Sequence, residues 1–63
     1  MKHKVMVRFA NETVYHTFIE LDVDKLEKVT VFPEEVFGTI DGVRLALKRE
    51  DYEQLKTKDE QVN

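Results

Sequence analysis

Two tight-turn signals, Ala10-Asn11-Glu12-Thr13 and Ile40-Asp41-Gly42-Val43, each sit between segments whose apolar residues alternate, and each predicts a β-hairpin. A hairpin fixes which side chains share a face, so these two turns constrain the fold more than any other feature. Asp-Gly suits a type I′ turn because both residues tolerate positive φ. A two-residue loop there pairs Ile40 with Val43, Gly38 with Leu45, Phe37 with Ala46 and Val36 with Leu47. Val36, Ile40, Val43, Leu45 and Leu47 then share one face, which specifies the register. In the first hairpin, looping out Asn11 and Glu12 pairs Phe9 with Val14, Val7 with His16 and Val5 with Phe18. That register predicts an apolar face of Val5, Val7, Phe9, Val14 and Phe18. Its opposite face is also partly apolar, with Met6, Tyr15, Ile19 and Leu21 beside Lys2, Lys4 and Arg8.

The strands read as Lys2 to Phe9, Thr13 to Leu21, Val29 to Phe32, Val36 to Ile40 and Val43 to Lys48. Pro33 ends the third because proline cannot donate to a ladder. Asp22 to Lys28 reads as a turn or one helical turn capped by Asp22. Arg49 to Lys56 reads as a two-turn helix, with acids in its first turn, lysine in its last, and Tyr52 and Leu55 on one face. The expected fold is α+β and mostly β: five short antiparallel strands, curled or barrel-like, with one short C-terminal helix. Residues 1–57 are read as one domain and 58–63, which lack apolar periodicity, as a flexible tail.

A chain of 63 residues buries only about 60% of its unfolded surface, so its core is marginal. With no cysteine, neither a disulfide nor a thiolate zinc site can staple it. Serine is absent as well, which removes the two commonest covalent nucleophiles and argues against an enzyme. The net charge is −3, but residues 1–10 carry +3 through Lys2, Lys4 and Arg8, while residues 11–41 hold eight acids against two lysines. So small a basic patch is a poor sequence-independent grip on nucleic acid. No apolar run approaches the ~20 residues of a membrane span and the start lacks a signal-peptide core, so a cytoplasmic protein is expected.

Candidate chemistry is sparse, and no cofactor or metal is expected. In the register above, His3 faces Glu20 and His16 faces Val7, which separates the imidazoles by roughly 13 Å, too far to share a metal. His16 reads instead as a partly buried histidine. Glu34 and Glu35 lack a companion base or nucleophile and read as a solvated turn. The second apolar face is the stronger clue. One short helix cannot cover both sides of the sheet, so Met6, Tyr15, Ile19 and Leu21 are expected to form an interface, most simply in a homodimer. The leading expectation is therefore a non-enzymatic protein-interaction or regulatory module. The alternative is a small nucleic-acid-binding protein in which Lys2, Lys4 and Arg8 hold phosphate and Tyr15 stacks on a base.

Overall fold

The computed structural model describes residues 2–60, with side chains through residue 57. Five strands form one antiparallel sheet: β1 (His3–Phe9), β2 (Thr17–Leu21), β3 (Glu27–Val31), β4 (Glu35–Ile40) and β5 (Val43–Lys48). Their spatial order is β2-β1-β5-β4-β3. A β1–β2 hairpin thus joins a β3–β4–β5 meander through β1 and β5, which pair from Val7↔Leu47 to Phe9↔Leu45. The sheet is open and does not close into a barrel, leaving β2 and β3 as its edges. A 3-10 turn, Val23–Lys25, leads from one edge to the other, with the Asp22 carboxylate accepting from Asp24 N–H as its cap.

The second hairpin has the predicted register, from Ile40↔Val43 to Val36↔Leu47. Asp41 (φ 51°) and Gly42 (φ 78°) both occupy the left-handed region, as a type I′ turn requires. The first hairpin differs from expectation. β1 and β2 pair Val7↔Thr17, Met6↔Phe18, Val5↔Ile19 and His3↔Leu21, a shift of one residue. Neither Asn11 nor Glu12 enters positive φ, so the two-residue turn does not form there. Instead Glu12 N–H donates to Phe9 C=O at 2.8 Å, Glu12 Oε1 accepts from Phe9 N–H at 3.0 Å, and Ala10 N–H is taken by Arg44 C=O on β5. The chain reaches β2 only at Thr17.

That slip exchanges the faces of β2, because side chains alternate. Ile19 and Leu21 now join Val5 and Val7, whereas Val14 and Phe18 are exposed (64% and 56%). The core lies on this one face: Val5, Val7, Leu21, Val36, Leu45 and Leu47 from the strands, covered by Val23, Leu26 and Leu55. Leu26 passes so close to β4 that a Cβ at Gly38 would lie 2.9 Å from Leu26 Cδ2 and 3.3 Å from its Cβ.

The C-terminal helix α1 (Arg49–Glu60) begins directly after β5, its first N–H bonded to Glu34 C=O at 2.9 Å. Leu55 is buried and Tyr52 packs beside it, as their spacing predicts. Lys56 Nζ reaches Asp24 Oδ1 at 3.4 Å, linking the helix to the 3-10 turn. The helix extends one turn beyond the predicted Lys56, so residues 58–60 of the expected tail are helical, while 61–63 lie outside the described residues. Among the described residues no helix is long and apolar enough to cross a membrane.

Two glycines test this packing separately. Gly42→Val forces a β-branched residue into positive φ and is expected to cost about 1–3 kcal/mol. Gly38→Val keeps an accessible backbone but displaces Leu26, and is also expected to cost about 1–3 kcal/mol. Urea unfolding of each variant measures both; a loss below about 0.5 kcal/mol at either site contradicts the geometry described for it.

Candidate interaction surfaces

The second face of the sheet is built around the smallest side chain available to it. Ala46, on the central strand β5, pairs with Arg8 of β1 on one side and Phe37 of β4 on the other. A methyl group there lets Arg8 reach across β5 to Glu35, the first residue of β4. The pair is bidentate: Arg8 Nε donates to Glu35 Oε2 at 2.8 Å and Arg8 Nη2 to Oε1 at 3.1 Å. Tyr15 arrives from the loop before β2 and donates its hydroxyl to Glu35 Oε2. Arg8 Nη1 donates to Glu12 C=O at 2.6 Å, which fixes that loop to the strand.

Cations and rings interleave over the same surface. Arg8 Cζ lies 5.8 Å from the Tyr15 ring centroid and 5.2 Å from that of Phe37. Arg44 stands over Phe37 at 5.9 Å, Lys48 over Tyr15 at 5.7 Å and Lys4 over Phe18 at 5.6 Å. Such contacts occur about once per 70–80 residues, so five among the described residues mark an organised cluster rather than chance neighbours. Ala46 is fully buried beneath it. Long cationic stems and aromatic rings thereby cover the second face without a second layer.

The electrostatics follow from these contacts. Hydrogen bonds from Arg8 and then Tyr15 hold the Glu35 carboxyl below its ordinary range despite partial desolvation. Desolvation, followed by the neighbouring Glu35 carboxylate, pushes the Tyr15 phenol up to about 12. Glu12 is held low by the Phe9 N–H and then by His16. None of these groups is poised to exchange a proton near neutral pH. Glu35 is therefore a structural anchor rather than part of a solvated turn. His16 is exposed rather than partly buried, with Nε2 2.6 Å from Glu12 Oε2 and Nδ1 3.1 Å from Thr17 Oγ1. Among the described residues, no group of three or more His, Cys, Asp or Glu side chains converges to hold a metal.

The four residues expected to form an interface do not make one patch. Leu21 is fully buried in the chain's own core and Ile19 packs against that core, because the one-residue slip turns both inward. Met6 lies on the opposite face, opposite Phe18, and Tyr15 belongs to the cation cluster. Of the basic residues, Arg8 contacts Tyr15 but is occupied by Glu35, Lys4 stands over Phe18, and Lys2 is an exposed residue just before β1. Phe37, Arg44, Ala46 and Lys48 share this face as the register of the second hairpin requires, whereas Phe18 joins it only through the one-residue slip of β2. A spacing of two residues groups Arg44, Ala46 and Lys48 along β5 and Glu35 with Phe37 along β4.

A different surface lies at the edge. All five residues of β3 are exposed, and Val29, Val31 and the following Phe32 present apolar side chains (38%, 52% and 47% exposed). Phe32 packs edge-on against Phe37, with ring centroids 5.6 Å apart. The strand is bounded on one side by a bulge between Glu27 and Thr30, where Lys28 takes φ 52°. Arg44 Nη1 donates to Lys28 C=O at 2.7 Å and so pins the bulge. On the other side Pro33 ends the strand. Comparison of the chain with protein-family models, with curated proteins and with solved structures finds no significant match.

The lowered pKa of Glu35 has a definite sign. The unfolded chain binds a proton at Glu35 before the folded one does, so this carboxylate's contribution to stability is present above the ordinary glutamate value of 4.5. It is lost as pH falls from there through the lowered folded value. Urea unfolding between pH 7 and pH 3 is expected to show stability falling on the acid side, and Glu35→Gln to lower stability at pH 7 and flatten that fall. An unchanged acid slope in Glu35→Gln removes the anchor role.

Proposed function

We propose that this chain is a small non-enzymatic protein-interaction module that receives a partner's backbone along the β3 edge. The observation that carries this reading is the exposure of β3 along its whole length, with Val29, Val31 and Phe32 apolar and accessible. A sheet edge offers unpaired N–H and C=O groups, and alternate side chains beside it supply specificity. The non-enzymatic part rests on the absence of serine and cysteine and on the proton inventory above: the Tyr15 phenol stays protonated and the Glu35 carboxylate ionised at neutral pH.

Affinity capture from an extract of the native cell tests this. The wild-type chain is expected to recover a protein partner, Val31→Lys to lose it, and Lys4→Glu, on the opposite face and the other side of the sheet, to keep it. Recovery unaffected by Val31→Lys contradicts the reading.

The cation–aromatic cluster favours a second reading, a nucleic-acid-binding face. Arg44 and Lys48 extend the basic surface beyond Lys2, Lys4 and Arg8, and Phe18 is accessible. Against it, Arg8 is neutralised by Glu35, and Arg44 Nη1 is committed to Lys28 C=O and, at 3.2 Å, to Thr39 Oγ1. A single-stranded oligonucleotide titrated at low salt is expected to bind negligibly. A salt-sensitive isotherm, with a log–log slope near −0.7 for each phosphate contacted and dependent on Tyr15 and Phe18, promotes this second reading to first.

A further inference from the structure

The geometry points to a second copy of this chain as the occupant of the β3 edge, paired antiparallel about a two-fold axis through Thr30. This inference rests on the edge-docking reading above and names its partner. The argument begins with the direction of the backbone groups. Phe32 N–H donates inward to Glu35 C=O at 2.8 Å. Ladder groups alternate along a strand, so Thr30 also points toward β4, while the N–H and C=O groups of Val29 and Val31 point out to the free edge.

An antiparallel copy must place outward groups opposite outward groups. With Thr30 opposite Thr30 of the second copy, Val29 faces Val31 and Val31 faces Val29, and each such pair exchanges both of its N–H···O bonds. Moving the axis to Val31 sets Val29 opposite Pro33, which has no N–H to give. Moving it to Val29 sets Val31 opposite Glu27, beyond the bulge at Lys28. Shifts by a single residue in pairing put outward groups against inward ones. One register therefore uses both valines.

The same register is complementary in its side chains. Val29 and Val31 share a face, and Val31 pairs with the fully buried Val36, so the valines of the two copies extend the core face across the axis. Antiparallel pairing also sets the end of the strip that carries Lys28 beside the end at which the second copy's exposed Glu34 stands in its Pro33-Glu34 turn, so opposite charges flank the paired segment. From Val29 to Val31 every paired side chain is uncharged, so no like charges oppose each other within the strip. The strip between the bulge and Pro33 is short, which makes the association weak and concentration-dependent rather than obligate.

The absence of cysteine from the sequence permits a direct test. Thr30→Cys introduces a lone thiol on the axis, at a non-hydrogen-bonded position whose Cα atoms are roughly 4.5 Å apart, within disulfide range. Under mild oxidation this variant is expected to double in mass from 7.5 kDa. Val29→Cys, Val31→Cys and Val43→Cys are expected to remain monomeric under the same conditions, since the first two thiols sit diagonally and the last is remote. Sedimentation equilibrium of the wild type over roughly 10 µM to 1 mM is expected to show reversible dimerisation that Val31→Lys abolishes. Crosslinking at Val31→Cys in preference to Thr30→Cys overturns the register, and equal crosslinking at all four positions shows random collision and overturns the assignment. A wild type that stays monomeric throughout, with no Thr30→Cys dimer, removes the second copy as partner. The broader edge-docking reading then stands or falls on whether Val31→Lys changes partner recovery.

Discussion

The Arg8–Glu35–Tyr15 contact is what allows so short a chain to keep an open sheet in water. A sheet has two faces, and the described residues include one helix and one 3-10 turn with which to cover them; both lie on the core face, through Val23, Leu26 and Leu55. The other face is partly covered by its own side chains. Arg8 spans β5 to reach β4, Tyr15 closes over it from the loop, and Phe37 lies against two guanidinium groups. This arrangement replaces a second apolar layer with a charge-assisted one in which apolar stems and rings lie flat on the sheet while charged ends stay partly hydrated.

The place of Phe18 on that face, and of the aliphatic side chains behind it, depends on the register of the first hairpin. Were β2 slipped by one residue, Leu21 and Ile19 would turn outward and Phe18 inward, and the core would exchange two aliphatic side chains for one ring. Burial decides between the alternatives: Leu21 is completely enclosed in the observed pairing. The loop that sets the register is shaped by Glu12, which binds the Phe9 N–H and His16 by its carboxylate and receives Arg8 on its carbonyl. The polar face and the core are therefore coupled through one loop.

The architecture was legible in the sequence where local chemistry determines it. Asp41-Gly42 has a strong conformational preference, and the alternation on either side agrees with only one pairing, so the second hairpin and the packing of Tyr52 and Leu55 could be read directly. The first hairpin could not, because both faces of its strands carry apolar residues and Asn-Glu has no comparable preference for positive φ. The position of Glu35 was hidden for another reason. Its partners lie 27 and 20 residues away, and nothing local distinguishes it from the solvated Glu34 beside it. The exposed strip on β3 was visible as a β-rich segment, but its place at an edge is a property of strand order alone.

The bulge at Lys28 also has a bearing on how such an edge can exist in a crowded solution. An exposed apolar edge is a template for continued strand addition, and long flat edges invite aggregation. Here a lysine held in the left-handed region, with its carbonyl tied down by Arg44, and a proline past the other end of the strand set a fixed length on what can be paired. An edge bounded in this way offers few consecutive ladder groups, which works against open-ended strand addition. The bulge at Lys28 and the proline after Phe32 thus limit the stretch of β3 whose outer edge has regular strand geometry.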